Sequence, residues 1–121
     1  MKVPGPDHPI SIAPHCGRVR VISNNRVVAD TTSALALHEK SSPPRFYIPR
    51  EDAEMALFER TAHTSHCPYK GDAAYYSIRI GERVSRNAIW SYEHPYPAVA
   101  EIAGRLAFYP DRVDALEVMP A

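Results

Sequence analysis

Asp72-Ala73-Ala74-Tyr75-Tyr76-Ser77-Ile78-Arg79-Ile80, then Gly81-Glu82, then Arg83-Val84-Ser85-Arg86-Asn87-Ala88-Ile89-Trp90-Ser91-Tyr92, is the stretch whose reading decides the fold. Two runs rich in aromatic and β-branched residues flank a two-residue turn. Glycine stands first in that turn, as a type II′ hairpin requires. Strand side chains alternate between faces, so Tyr76, Ile78 and Ile80 share one face while Tyr75, Ser77 and Arg79 take the other. In the second strand the same rule predicts that Ala88, Trp90 and Tyr92 share a face.

Working outward, the turn Cys67-Pro68-Tyr69-Lys70-Gly71 feeds this hairpin. It sets a thiol, an ammonium and a glycine at the mouth of an aromatic strand. Further upstream, Val19 and Val21 alternate with Arg18 and Arg20. Asn24-Asn25 then supplies residues that tolerate the positive φ of a tight turn, and Arg26 to Asp30 returns as a second hairpin strand. Ala34 to Glu39 alternates again and stops at Ser41-Ser42-Pro43-Pro44. Arg45 to Ile48 is a short aromatic strand ended by Pro49.

Glu51-Asp52 opens one helical turn over 51–54, where acidic residues suit the dipole, followed by an extended segment from Ala56 to Thr64. Pro97 to Gly104 reads as a short helix, proline at its start and glycine beyond its end, with Val99, Ile102 and Ala103 on one apolar face. Leu106 to Tyr109 and Arg112 to Val118 are two closing strands.

The expected fold is mainly β: a single small domain over residues 1–121, with about eight short strands in a curled antiparallel sheet or open barrel and one or two short helices. Residues 1–7 are expected to form a loosely ordered N-terminal arm. A chain of 121 residues can bury a core without a metal or several disulfides. Its 12 prolines, about twice the usual share, suit short strands and turns.

The 14 basic and 14 acidic residues balance, so no domain-wide field for nucleic acid exists and no nucleic-acid partner is expected. Cys16 and Cys67 do not make the framework of four or more cysteines typical of small secreted domains. Free thiols in a soluble cytoplasmic protein are the expected state, with a single Cys16–Cys67 disulfide as the alternative. The N-terminus, Met1-Lys2-Val3-Pro4-Gly5-Pro6, lacks the apolar stretch of a signal peptide, and no run approaches the ~18 apolar residues of a membrane span.

Several spaced blocks agree in order with a known family. Val28-Ala29-Asp30, Glu39 and Phe46-Tyr47-Ile48-Pro49 form the first half. Cys67-Pro68-Tyr69-Lys70-Gly71, Tyr75-Tyr76-Ser77, Trp90-Ser91-Tyr92 with Pro95, and Ala107-Phe108-Tyr109 form the second. Together they resemble the bacterial domain-of-unknown-function family number 427, over about His8 to Glu117. The resemblance implies a compact, mostly β domain. Some members carry the label nucleotidyltransferase-like, which brings no established mechanism and hence no catalytic residue. Asn24-Asn25 departs from the family where glycine is common, and Thr31 where serine is typical.

Three chemistries compete at the residues singled out. Cys67 is a candidate catalytic nucleophile if Lys70, three residues on, favours its thiolate, with His63 or His66 as a basic partner; the plainer role is a packed small apolar residue. His63, His66 and Cys67, with His15-Cys16, His38 and His94 elsewhere, lack the paired spacing of a zinc site, and neither metal nor cofactor is expected. The third is an aromatic and charged pocket. Tyr75, Trp90 and Tyr92 offer flat faces to a small ligand, Lys70 or Arg79 meets an anionic group, and Asp30 and Glu39 fix hydroxyls or amines.

Neither a Walker pattern nor Gly-x-Gly-x-x-Gly occurs among the five glycines, and no Asp-x-Asp pair offers metal ligands, which weakens the transferase label. The leading expectation is therefore a small-molecule-binding domain with its pocket near Cys67–Gly71. An enzyme using Cys67 with Lys70, and a homo-oligomeric interaction module joined through a strand edge, stand as alternatives.

Overall fold

The computed structural model describes residues 1–120 and is mainly β, with ten strands in three antiparallel sheets and a few single-turn helices. The decisive hairpin forms as the sequence predicts. Strand β7 (Gly71–Ile80) pairs with β8 (Arg83–Ser91), from Ile80 opposite Arg83 back to Ala74 opposite Ser91. Gly81 adopts φ +61° while Glu82 stays out of the positive region, the combination that defines a II′ turn. The other hairpin uses the second of the two primed turns. Asn24 and Asn25 both take positive φ, at 50° and 63°, and join β2 (Gly17–Ser23) to β3 (Arg26–Thr31) in a type I′ turn.

Strand β10 (Ala115–Pro120) flanks β2 to give the order β10-β2-β3. A second sheet holds β1 (Ile10–Pro14), β4 (Leu35–Glu39) and β5 (Arg45–Tyr47) in the order β1-β4-β5. The third runs β6-β7-β8-β9, with β6 at Phe58–Cys67 and β9 at Ala107–Phe108. Ile48 and Leu106 exchange two backbone hydrogen bonds, at 2.8 and 2.9 Å, and so stitch the second sheet to the third. The assembly curls without closing into a barrel, and the strands outnumber the expected eight.

The central hairpin is buried on both faces and separates two apolar clusters. Val19, Val21, Val28, Ile48, Tyr76, Ile78, Ile89 and Phe108 belong to the first. Leu37, Tyr47, Tyr75, Trp90, Tyr92, Val99 and Ile102 belong to the second. Tyr75 and Tyr76 point opposite ways for the reason given by strand alternation, and each has a full partner layer. A bulge breaks that alternation in β8. Asn87 takes φ +48° and its N–H donates to Ser77 Oγ at 3.0 Å, while the register slips between Tyr76 and Ile78. Ala88 consequently packs in the first cluster, whereas Trp90 and Tyr92 pack in the second, correcting the expectation of one shared face.

Other local readings shift as well. Strand β1 has only a weak local signature, because prolines bracket its short Ile10-Ser11-Ile12 alternation. The expected turn over 51–54 forms at Arg50–Asp52, but a second turn at Met55–Leu57 delays strand β6 until Phe58. The segment Pro97–Ile102 is a kinked 3-10 helix, with Val99 at φ −125°. Three residues per turn stack Val99 and Ile102 inward and rotate Ala103 out to solvent, so Ala103 does not join their face. The last strand starts at Ala115, after a turn at Pro110–Arg112.

Arg50 ties these pieces together. Its Nε donates to Gly104 O at 2.5 Å and its guanidinium to Glu93 at 3.0 Å, while Tyr76 OH donates to the same carboxylate at 2.8 Å. Among the described residues no helix is long and apolar enough to cross a membrane.

Candidate functional site

The turn between β6 and β7 builds one corner of the site. Cys67 lies opposite Gly71, so Pro68, Tyr69 and Lys70 form the connection. Gly71 at φ +108° lets the chain reverse beneath the backbone of His94 to Tyr96, and Tyr96 N–H donates to Lys70 O at 3.0 Å. The Lys70 side chain then runs across the Tyr92 ring, with Nζ 5.7 Å from the centroid. It donates to Glu39 Oε1 at 2.5 Å, at the end of β4.

His8 Nε2 meets Glu39 Oε2 at 2.7 Å, and its ring stacks on Tyr69 at 3.9 Å between centroids. Burial would lift the Glu39 carboxyl, but the hydrogen bonds from Lys70 and His8 outweigh it and hold the group below its usual range.

A hollow of about 270 Å³ opens beside this pair. Trp90, Tyr75, Tyr92 and Leu37 border it on the core side; Glu39, Lys70, Arg45, Ser42, Pro43 and Tyr109 complete the wall. Trp90 Nε1–H donates to the buried Tyr47 hydroxyl at 3.2 Å, which satisfies the polar tip of the indole inside the core. Trp90 and Tyr109 lie 4.5 Å apart between ring centroids, and the Arg45 guanidinium sits 5.6 Å from the Trp90 centroid.

Hydroxyls of Ser65, Tyr75 and Tyr109 form a chain with links of 2.9 and 3.2 Å. Burial, and then the bond with Tyr75, pushes the Tyr109 phenol up to about 12. Burial likewise drives the Tyr47 and Tyr92 phenols far above their ordinary value, so all three present O–H groups at neutral pH.

Five of the residues singled out from sequence meet at this hollow: Glu39, Lys70, Tyr75, Trp90 and Tyr92. Asp30 does not. It sits on β3 and pairs with Arg18 across the β2–β3 ladder, beside a shallow depression of about 340 Å³ bordered by Glu51, Asp52 and Glu54. Three of the carboxylates there are already engaged: Asp30 by Arg18, Glu54 by Arg26 and Asp52 by the Thr31 hydroxyl.

Cys67 is a free thiol, half-buried against the second cluster, and is not part of the hollow's wall. The lysine expected to activate it is turned to Glu39 instead. Cys16 is also free, and exposed. His63 lies edge-on to Tyr75 at 4.4 Å, while His66 bonds Asp72 at 2.7 Å. Arg79, the other cation considered for an anion, faces solvent and meets Glu59 at 3.1 Å. Arg45 and Tyr109 occupy the wall in its stead. Their presence there depends on β5 and β9 being stitched at Ile48–Leu106, a contact with no local signature.

No curated protein matches this sequence. Residues 11–119, which carry all three sheets but for the ends of two strands, match the model of the domain of unknown function DUF427, and the chain belongs to that family.

Proposed function

We propose that the protein is a small-molecule-binding domain whose ligand is flat and polar and occupies the hollow between the Lys70–Glu39 pair and Trp90. The observation that carries this reading is the convergence, from β4, β7, β8 and the connections after β6, β8 and β9, of an ordered ion pair and four aromatic rings around one open space. Lys70 and Glu39 keep 12% and 19% of their side-chain surface exposed, so the pair is fixed in place yet reachable from the hollow. Aromatic walls favour a planar ligand, and a few convergent polar groups fix its orientation. At about 270 Å³ the space suits a ligand of one or two rings, since a cavity of roughly 150 Å³ already takes benzene.

The test is a thermal-shift screen across nucleotides, sugars and amino-acid derivatives. A ligand of the native state at about 100 times its dissociation constant adds ~2.7 kcal/mol and raises the melting point. Trp90 is the sole tryptophan, so a hit in this hollow must also move the one indole N–H signal in a nitrogen-edited NMR spectrum. Stabilising ligands that leave the indole signal unmoved would place binding elsewhere and end the proposal.

A further inference from the structure

We infer that the ligand is a planar monoanion whose charged group is held by Arg45, a deduction that rests on the hollow being the binding site. The wall carries two cations, Lys70 and Arg45, against one anion, Glu39, which leaves one positive charge in excess. Lys70 and Glu39 cancel, and both Glu39 oxygens are occupied, one by Lys70 and one by His8. A cationic ligand would therefore have to share a Glu39 oxygen with Lys70 or His8.

Arg45 differs from most arginines of the chain. Arg18, Arg20, Arg26, Arg50, Arg60 and Arg79 all meet carboxylates. Arg45 makes no ion pair among the described residues, yet it borders the hollow with its guanidinium over Trp90. A guanidinium presents a planar fork of N–H donors that matches a carboxylate or a phosphate oxygen pair. A ring lying along the indole and tyrosine faces would place an attached anion at that fork. The neutral Tyr109 hydroxyl at the same wall brings no competing negative charge.

The experiment uses three para-substituted phenols of similar size and three different charges: 4-hydroxybenzoate, 4-hydroxybenzamide and 4-hydroxybenzylamine. Each is titrated to millimolar levels into the wild-type protein and into Arg45→Gln, with the single indole N–H signal as the readout. The benzoate should bind about tenfold more tightly than the amide, the ratio expected of one hydrogen-bonded charge partner. The benzylamine should bind more weakly than both. Arg45→Gln should erase the benzoate's advantage, so that benzoate and amide bind that variant equally.

Equal binding of benzoate and amide by the wild type, or preference for the amine, would refute the monoanion while leaving the hollow as a site for flat ligands. A benzoate preference that survives Arg45→Gln would refute Arg45 as its holder. An indole signal unmoved by all three probes would overturn the hollow itself along with this inference.

Discussion

Replacing Lys70 by methionine removes the ammonium and keeps an apolar stem to lie on Tyr92, so it isolates the ion pair from the packing around it. Exposed pairs contribute roughly 0.2–1 kcal/mol, and stripping one partner from a fully buried pair costs about 3–5 kcal/mol. With 12% and 19% exposure, Lys70 and Glu39 lie between these limits and nearer the buried one. Glu39 would keep only His8, which supports a loss of about 2 kcal/mol at pH 7.

Urea unfolding followed by Trp90 fluorescence should show this as a midpoint lowered by about 1 M, given a slope of roughly 2 kcal/mol/M for a domain of this size. The sign of the pH dependence follows from Glu39, whose folded carboxyl lies below its ordinary 4.5. A depressed carboxyl stabilises the native state above the unfolded value, and the benefit fades as pH falls through the folded one. The gap between wild type and Lys70→Met should thus be widest near neutrality and narrow once the pH drops below 4.5. In a cycle with Glu39→Gln, the double variant should lose less than the sum of the singles. A loss under about 0.5 kcal/mol that stays flat with pH would mean that water screens the pair as at any surface, and the corner of the hollow would not be preorganised.

Tyr47→Phe leaves the buried Trp90 Nε1–H without its acceptor and should cost about 2 kcal/mol, read from the same unfolding curve, with a shift of the Trp90 emission. Gly17→Ala places a Cβ 2.1 Å from Met119 O, backbone that only a displaced β10 can relieve; an overpacking loss of about 2 kcal/mol in the urea midpoint is expected. Glu93 is pulled up by burial but held below its ordinary range by bonds from Tyr76, Arg60 and Arg50. Glu93→Gln should therefore cost about 1 kcal/mol at pH 7 and progressively less below pH 4.5, as seen in melting points across an acid series.

The hairpins were legible because their determinants are local. Gly81 first in its turn and Asn24-Asn25 in the other leave few backbone choices, and alternating side chains on either side agree with them. The same locality put Glu39, Lys70, Tyr75, Trp90 and Tyr92 forward, since each ends or lines a strand that the pattern identifies. What the pattern could not supply was which polar group answers which. Lys70 stands three residues from Cys67, yet it reaches Glu39, 31 residues away, because β4 lies across the mouth of β7. Asp30 looked equally available in sequence, but β3 belongs to a different sheet, where Arg18 claims it.

The amino-acid order by itself determined the antiparallel, mainly β character, the two tight turns and the aromatic strand pair. Backbone sterics and side-chain alternation act over two to four residues, and no distant partner can override them cheaply. Only the tertiary structure decided that the central hairpin would be buried on both faces, that the bulge at Asn87 would turn Ala88 away from Trp90, and that Arg45 would stand above the indole with no ion pair among the described residues. Those outcomes follow from which sheets meet and in what register, and a contact of that kind is selected by the packing of the whole core rather than by the residues beside it.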